Sequence, residues 1–171
     1  MFQTYLKPTL KVFLLSDFRL PVLAQTGQQT TFNQSSTLTY DDNSIAALPC
    51  LDQGSLIFNF TLNGVTPNGD GTLTASATGD VNAPTEFYSI EIEGQGNLSP
   101  DLGNTGDATT CGTLVAMQVY TVPLAQLQNA AGDGVIQVTA TPSSGIDCTC
   151  DVVGVDLPNQ ATIALQFPGT T

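Results

Sequence analysis

Hydrophobic residues recur at every second position along most of this chain, and the runs that do so are separated by Gly, Pro, Asn and Asp. A period of two sends successive side chains to opposite faces of an extended backbone, so each run predicts a strand with one apolar and one polar face. "SLIFNFTL" at 55 to 62 is such a run, closed by the turn "NGVTPNGDG". "TLTASAT" at 72 to 78 sets Leu73, Ala75 and Ala77 against Thr72, Thr74 and Ser76, and "EFYSIEIE" at 86 to 93 sets Tyr88, Ile90 and Ile92 against Phe87, Ser89, Glu91 and Glu93. Further strands are predicted at 113 to 122, at 134 to 141, and at 161 to 167 with Ala161, Ile163, Leu165 and Phe167 on one face. "TFNQSSTLTY" at 31 to 40 is a polar, Thr-rich candidate, which brings the expectation to seven or eight strands.

Only "PLAQLQNAAGDG" at 123 to 134 reads as helical, with Pro123 in the first turn, Leu124 and Leu127 or Gln128 on one face, and Gly132 as the stop. A single short helix near 123–131 among many short strands, with no repeated βα unit, predicts an all-β fold. The expected form is an antiparallel β-sandwich of jelly-roll or Greek-key type. A seven-stranded immunoglobulin-like sandwich is the alternative, without a tryptophan to pin its core.

The 171 residues suit one domain. Residues 1–24 differ from the rest: a basic start, a mostly apolar run interrupted by Asp17 and Arg19, and "VLA" before Gln25, which together resemble a secretory leader. Residues 25–40 read as an N-terminal arm or edge strand, and 41–171 as the sandwich. No apolar run reaches the roughly 20 residues of a membrane span. Cys50, Cys111, Cys148 and Cys150 in a chain without histidine point to two disulfides rather than a zinc site. Pairing of Cys148 with Cys150 is strained, which favours Cys111 with one of them and Cys50 with the other. Disulfides agree with an oxidising, extracellular or cell-surface setting.

Charge narrows the function. The formal net charge is -12, and Lys7, Lys11 and Arg19 are the only basic residues, so the chain from Leu20 onward has 14 carboxylates and no cation. Nucleic acid is excluded as a partner, because phosphate binding requires cations that release counterions. Without histidine, and without Lys or Arg after residue 19, the usual catalytic bases and oxyanion clamps are missing, so no enzyme is expected. Glu86, Glu91 and Glu93 share one predicted strand, and Glu91 and Glu93 would stand about 7 Å apart on one face, a spacing that glycoside hydrolysis tolerates. Solvent-facing charges on an amphipathic strand are the simpler reading.

Carboxylates without internal partners attract cations from solution. The stretch "GTLTASATGDVNAPTEFYSIEIEG", 71 to 94, joins two alternating strands through a turn bearing Asp80, Asn82 and Glu86, oxygen donors of the kind calcium takes. Asp70, the Asp41–Asp42 pair, and Asp151 with Asp156 are further donors, and none fits an EF-hand loop. Asp, Asn and Gly are also what turns demand for their own geometry. Asn33, Asn59 and Asn97 stand in Asn-x-Ser/Thr triplets.

The run "GDGTLTASATGDVNAPTEFYSIEIEG" and then "CGTLVAMQVYTVPLAQLQNAAGDGVIQVTATPSSGIDC" resembles the CUB-like and related jelly-roll modules of secreted and surface proteins of bacteria, over residues 55–167. The resemblance implies a non-catalytic role in adhesion or assembly and, in some members, calcium at one end of the sandwich, at positions matching Asp80 and Glu86.

Two functional expectations follow. The first is an extracellular structural subunit that self-associates into a filament, sheath or matrix. In that reading the polar segment from Gln25 to Tyr40, which lacks strong core anchors, adds as a strand to a neighbour's open edge; its alternative role is the first edge strand of its own domain. The second expectation is a calcium-dependent carbohydrate-binding or adhesion module, for which Tyr40, Tyr88 and Tyr120 are the only tyrosines beyond the leader-like segment.

Overall fold

The computed structural model describes residues 27–40, 54–79, 81, 83–103, 115–146, 149–152 and 155–171. The leader-like segment 1–24 lies outside them, as do Cys50, Cys111, Cys148, Asp80, Asn82, Asp41 and Asp42.

In chain order the strands are β1 (Gln29–Thr39), β2 (Leu56–Thr61), β3 (Thr66–Pro67), β4 (Gly71–Thr78), β5 (Phe87–Ile92), β6 (Gly96–Asn97), β7 (Leu102–Gly103), β8 (Val115–Val122), β9 (Val135–Pro142), β10 (Thr149–Val152), β11 (Val155–Pro158) and β12 (Gln160–Thr170). Helix α1 (Leu124–Ala130) follows β8 and tightens into a 3-10 turn over Ala131–Asp133.

The pairing is nested. β1 pairs with β12, β2 with β9, β4 with β8, and β5 with β6 and β7, all antiparallel. Such a chain is one long hairpin rolled up, with alternate nested pairs falling into opposite sheets. Rolling creates two further contacts, β12 against β4 and β9 against β5. The first sheet therefore runs β1-β12-β4-β8, with β3 beside the end of β12, and the second runs β2-β9-β5-β6, with β7 also on β5. This is a β-sandwich of jelly-roll type. β10 and β11 form a separate hairpin.

Alternation decides what fills the space between the sheets. Leu73, Ala75 and Ala77, Tyr88, Ile90 and Ile92, and Ala161, Ile163, Leu165 and Phe167 are all buried, as the periodicity predicts. Phe58, Phe60, Ile136, Val138 and Ala140 complete the facing layer, Leu102 adds to it from β7, and Val81 and Ile146 plug the core from loops.

The two strands of the 71–94 stretch lie in different layers: β4 belongs to the first sheet and β5 to the second, so the turn between them crosses the sandwich. Several expectations are corrected. The segment before Tyr40 does carry core anchors, since Phe32 and Tyr40 are buried and Leu38 packs against the core, and β1 pairs along all eleven residues with β12 of its own chain. The helix stop is Gly134, at φ 86°, where the left-handed backbone suits glycine, and not Gly132. The last strand runs three residues past Phe167. Its partner on one side is β4 from Gln160 to Gln166 and β3 at Gly169 and Thr170, so Pro168 falls in the gap, where its missing N–H costs that ladder nothing.

Candidate functional site

The crossing turn after β4 is held from several directions. Val81 is buried, the Glu86 backbone N–H donates to the Ala83 carbonyl at 3.0 Å, and the Ala83 N–H donates to Glu86 Oε2 at 2.8 Å. The Ser143 hydroxyl donates to the Thr85 carbonyl at 2.6 Å and accepts from the Phe87 N–H at 3.1 Å, tying this turn to the one after β9. Glu86 thus serves its own turn, the pattern by which acidic side chains close a tight loop. Among the described residues no three or more Asp, Glu, Cys or His side chains gather as a metal site. Asp80 and Asn82, the other two proposed calcium ligands, lie outside the described residues.

The remaining acidic candidates are dispersed. Asp70 Oδ1 accepts from the Leu124 N–H at 2.8 Å, satisfying one of the free donors at the start of α1 from 54 residues upstream. Glu91 is half-buried on the outer side of β5, whereas Glu93 lies beyond its end in the turn, so the two are not a pair on one strand face. Asp151 and Asp156 stand opposite each other in the β10–β11 register, and Cys150 is in β10 facing Leu157 along the ladder. The disulfide pairings rest on cysteines outside the described residues.

Tyr40, Tyr88 and Tyr120 are all buried, and so none offers its ring to a sugar. The Tyr40 hydroxyl donates to the Gly54 carbonyl at 2.9 Å and the Tyr120 hydroxyl to the Pro100 carbonyl at 2.8 Å. Burial raises the Tyr40 phenol well above its ordinary range. Tyr120 is pushed up to about 12, by burial first and by the Asp101 carboxylate second.

The distinctive surface is the first sheet. None of β1, β12, β4, β8 or β3 contains a charged residue, in a chain of net charge -12. Its outer face is built of rows read directly from the registers. Thr37, Thr162, Ser76 and Met117 cross the four strands in one row; Ser35, Ala164, Thr74 and Val119 form the next; Asn33, Gln166, Thr72 and Thr121 the one after. The hydroxyls of Thr37 and Thr162 lie 2.8 Å apart and share a hydrogen bond. At the β8 end Met117 is 67% exposed and Val119 52% exposed. The sequence contained this signal, in four runs free of Asp, Glu, Lys and Arg, but nothing local shows that those runs share one sheet.

Two depressions lie at the α1 end. A groove of about 410 Å³ is lined by Leu62, Val65, Pro67, Gln128 and Ala131, and a second of about 290 Å³ by Glu93, Gln95, Asn129 and Asp133. Glu93 and Asp133 bring two carboxylates to the second, with no third acidic group beside them among its lining residues. No helix among the described residues is long and apolar enough to cross a membrane.

No family model matches this chain, and no curated protein matches it. Among solved structures, a cryo-EM structure of the virus-like particle of extra small virus from the giant freshwater prawn Macrobrachium rosenbergii aligns over 96% of this chain and 95% of that one, at 11% identity and a TM-score of 0.27. The jelly-roll assignment rests on the nested strand pairing alone.

Proposed function

We propose that this protein is a non-enzymatic structural subunit that assembles with copies of itself in an extracellular or cell-surface filament, sheath or matrix. The observation that carries the reading is the charge-free first sheet. A chain with net charge -12 repels its copies at most orientations, and among the described residues this sheet is a broad surface where two copies can meet without bringing carboxylates together. Exposed Met117 and Val119 add apolar area to it. Strand addition enters the same reading through β1, whose outer side has no strand partner among the described residues. The leader-like start and the four cysteines support export and an oxidising setting. A cation at Asp80, Asn82 and Glu86 would act at the rim of the sandwich, as a support for the crossing turn.

Sedimentation velocity across a concentration series, at low and at physiological ionic strength, tests the reading. Self-association that strengthens with salt is expected, because screening weakens the long-range repulsion while the neutral sheet is unaffected. A protein that stays monomeric at all concentrations and salts refutes it.

A further inference from the structure

Resting on that reading, we infer that copies join edge to edge through the first sheet, the outer side of β1 in one copy pairing antiparallel with the outer side of β8 in the next, so that the sheet runs on from subunit to subunit.

Three observations lead there. The first is direction. Every neighbouring pair in the order β1-β12-β4-β8 is antiparallel, so β1 and β8 run in opposite senses. A second copy placed beside the first without inversion therefore sets its β8 antiparallel to the first copy's β1. Four strands per subunit preserve the alternation indefinitely, and a contact between two different edges repeats as an open chain rather than closing as a pair.

The second observation is the state of the edges. Soluble sheets blunt their edges with lysine, proline, bulges or very short strands. β1 is eleven residues long and β8 eight, and neither contains a charge, a proline or a glycine. β7 approaches β8 without pairing to it, and no strand among the described residues pairs with the outer side of either edge. The second sheet is different. Its β2 edge has six residues, and its opposite edge is broken into β6 and β7, two residues each and both containing glycine. Among the described residues only the first sheet has two long edges, which a run-on sheet requires.

The third observation is charge. The acidic residues among the described ones, Asp70, Glu86, Glu91, Glu93, Asp101, Asp133, Asp151 and Asp156, all lie outside the strands of the first sheet. Edge pairing brings residues such as Asn33 and Ser35 beside Met117 and Val119 of the next copy, with no carboxylate in the row. An eight-residue β8 laid on β1 adds about eight inter-strand hydrogen bonds. Four strands at about 4.8 Å give a subunit repeat of roughly 19 Å along the assembly.

The test uses two blocked variants of the full chain. Asn33→Glu with Ser35→Glu charges the β1 edge; Met117→Glu with Val119→Glu charges the β8 edge. All four side chains are exposed, so both variants are expected to keep the wild-type circular dichroism and melting temperature. Each alone is expected to remain monomeric where the wild type assembles, and an equimolar mixture is expected to form dimers and stop, because the intact β8 of one meets the intact β1 of the other. Electron micrographs of the wild type should show a repeat near 19 Å. If either variant alone assembles as the wild type does, or if the mixture stays monomeric, edge-to-edge joining is overturned while self-association stands. A monomeric wild type overturns both.

Discussion

Phe32 and Phe167 stack face to face, ring centroids 4.7 Å apart and planes 11° from parallel, at directly opposed positions of the β1–β12 register. The pair fastens a mostly polar edge strand to its neighbour in the sheet. An offset stack adds about 1 kcal/mol to the burial of the two rings. Phe167→Ala is expected to cost about 4 kcal/mol and Phe32→Ala about 3 kcal/mol, the smaller loss falling on the edge strand. In urea denaturation the double variant should lose about 1 kcal/mol less than the sum of the singles. Strict additivity would show that the rings do not interact.

Gly79 follows β4 at φ 120°, and a Cβ there would run into the side chain of Asn159, a buried polar residue just before β12. Gly79→Ala therefore combines an unfavourable backbone with a steric clash, and a loss of about 3 kcal/mol or more is expected. Adding Asn159→Gly should relieve the clash and leave the backbone strain, so the melting temperature should recover only if the loss of the Asn159 side chain costs less than the clash. A Gly79→Ala protein as stable as the wild type would remove this contact from the account of the crossing turn.

Tyr120 makes stability depend on alkaline pH. Its phenol is held protonated up to about 12 in the fold, against an ordinary 10, so the unfolded chain releases the proton first. The contribution is complete below about pH 10 and is lost as pH rises toward 12. Tyr40, raised by burial, adds in the same direction. Chemical denaturation at pH 8 to 11.5 should show stability falling with pH above 10. Tyr120→Phe should give a shallower fall, from a starting point about 1 kcal/mol lower for the lost hydrogen bond to the Pro100 carbonyl.

Glu86→Ala removes the acceptor of the Ala83 N–H and is expected to cost about 1 kcal/mol in thermal or urea unfolding. Calcium tests the ligand role separately. A melting temperature that rises with calcium, and no longer does so in Glu86→Ala, assigns an ion to the turn; one that calcium and chelator leave unchanged assigns Glu86 to turn chemistry.

The strands were legible because a strand's two faces are written at period two, within reach of a few residues. Leu73, Ala75 and Ala77, or Ile163, Leu165 and Phe167, need no partner to be recognised as one face. Phe32 is not legible as an anchor because polar Gln34 and Ser36 separate it from Leu38 and Tyr40 on the same face of "TFNQSSTLTY", and its value comes from a ring 135 positions away. The β10–β11 hairpin is legible in the sequence as Asp151, Asp156 and Cys150 but not as two paired strands, since four residues a side set up too short a period. Asp70 could not be recognised as a helix cap, since the N–H it accepts from is 54 residues downstream.

By itself the sequence determined the two-faced strands, the one short helix, the all-β class and the anionic body without cations, since each is a property of neighbours in the chain or of composition. Which strands lie together was decided by tertiary structure. Nesting β1 with β12, β2 with β9 and β4 with β8 sets β1, β12, β4 and β8, none of which carries a charge, side by side in one sheet and sends β4 and β5 of the 71–94 stretch to opposite layers. Side-chain alternation specifies that a strand has an inside but not whose inside it meets; that choice is made by the core, where the apolar faces of all the strands must be covered at once.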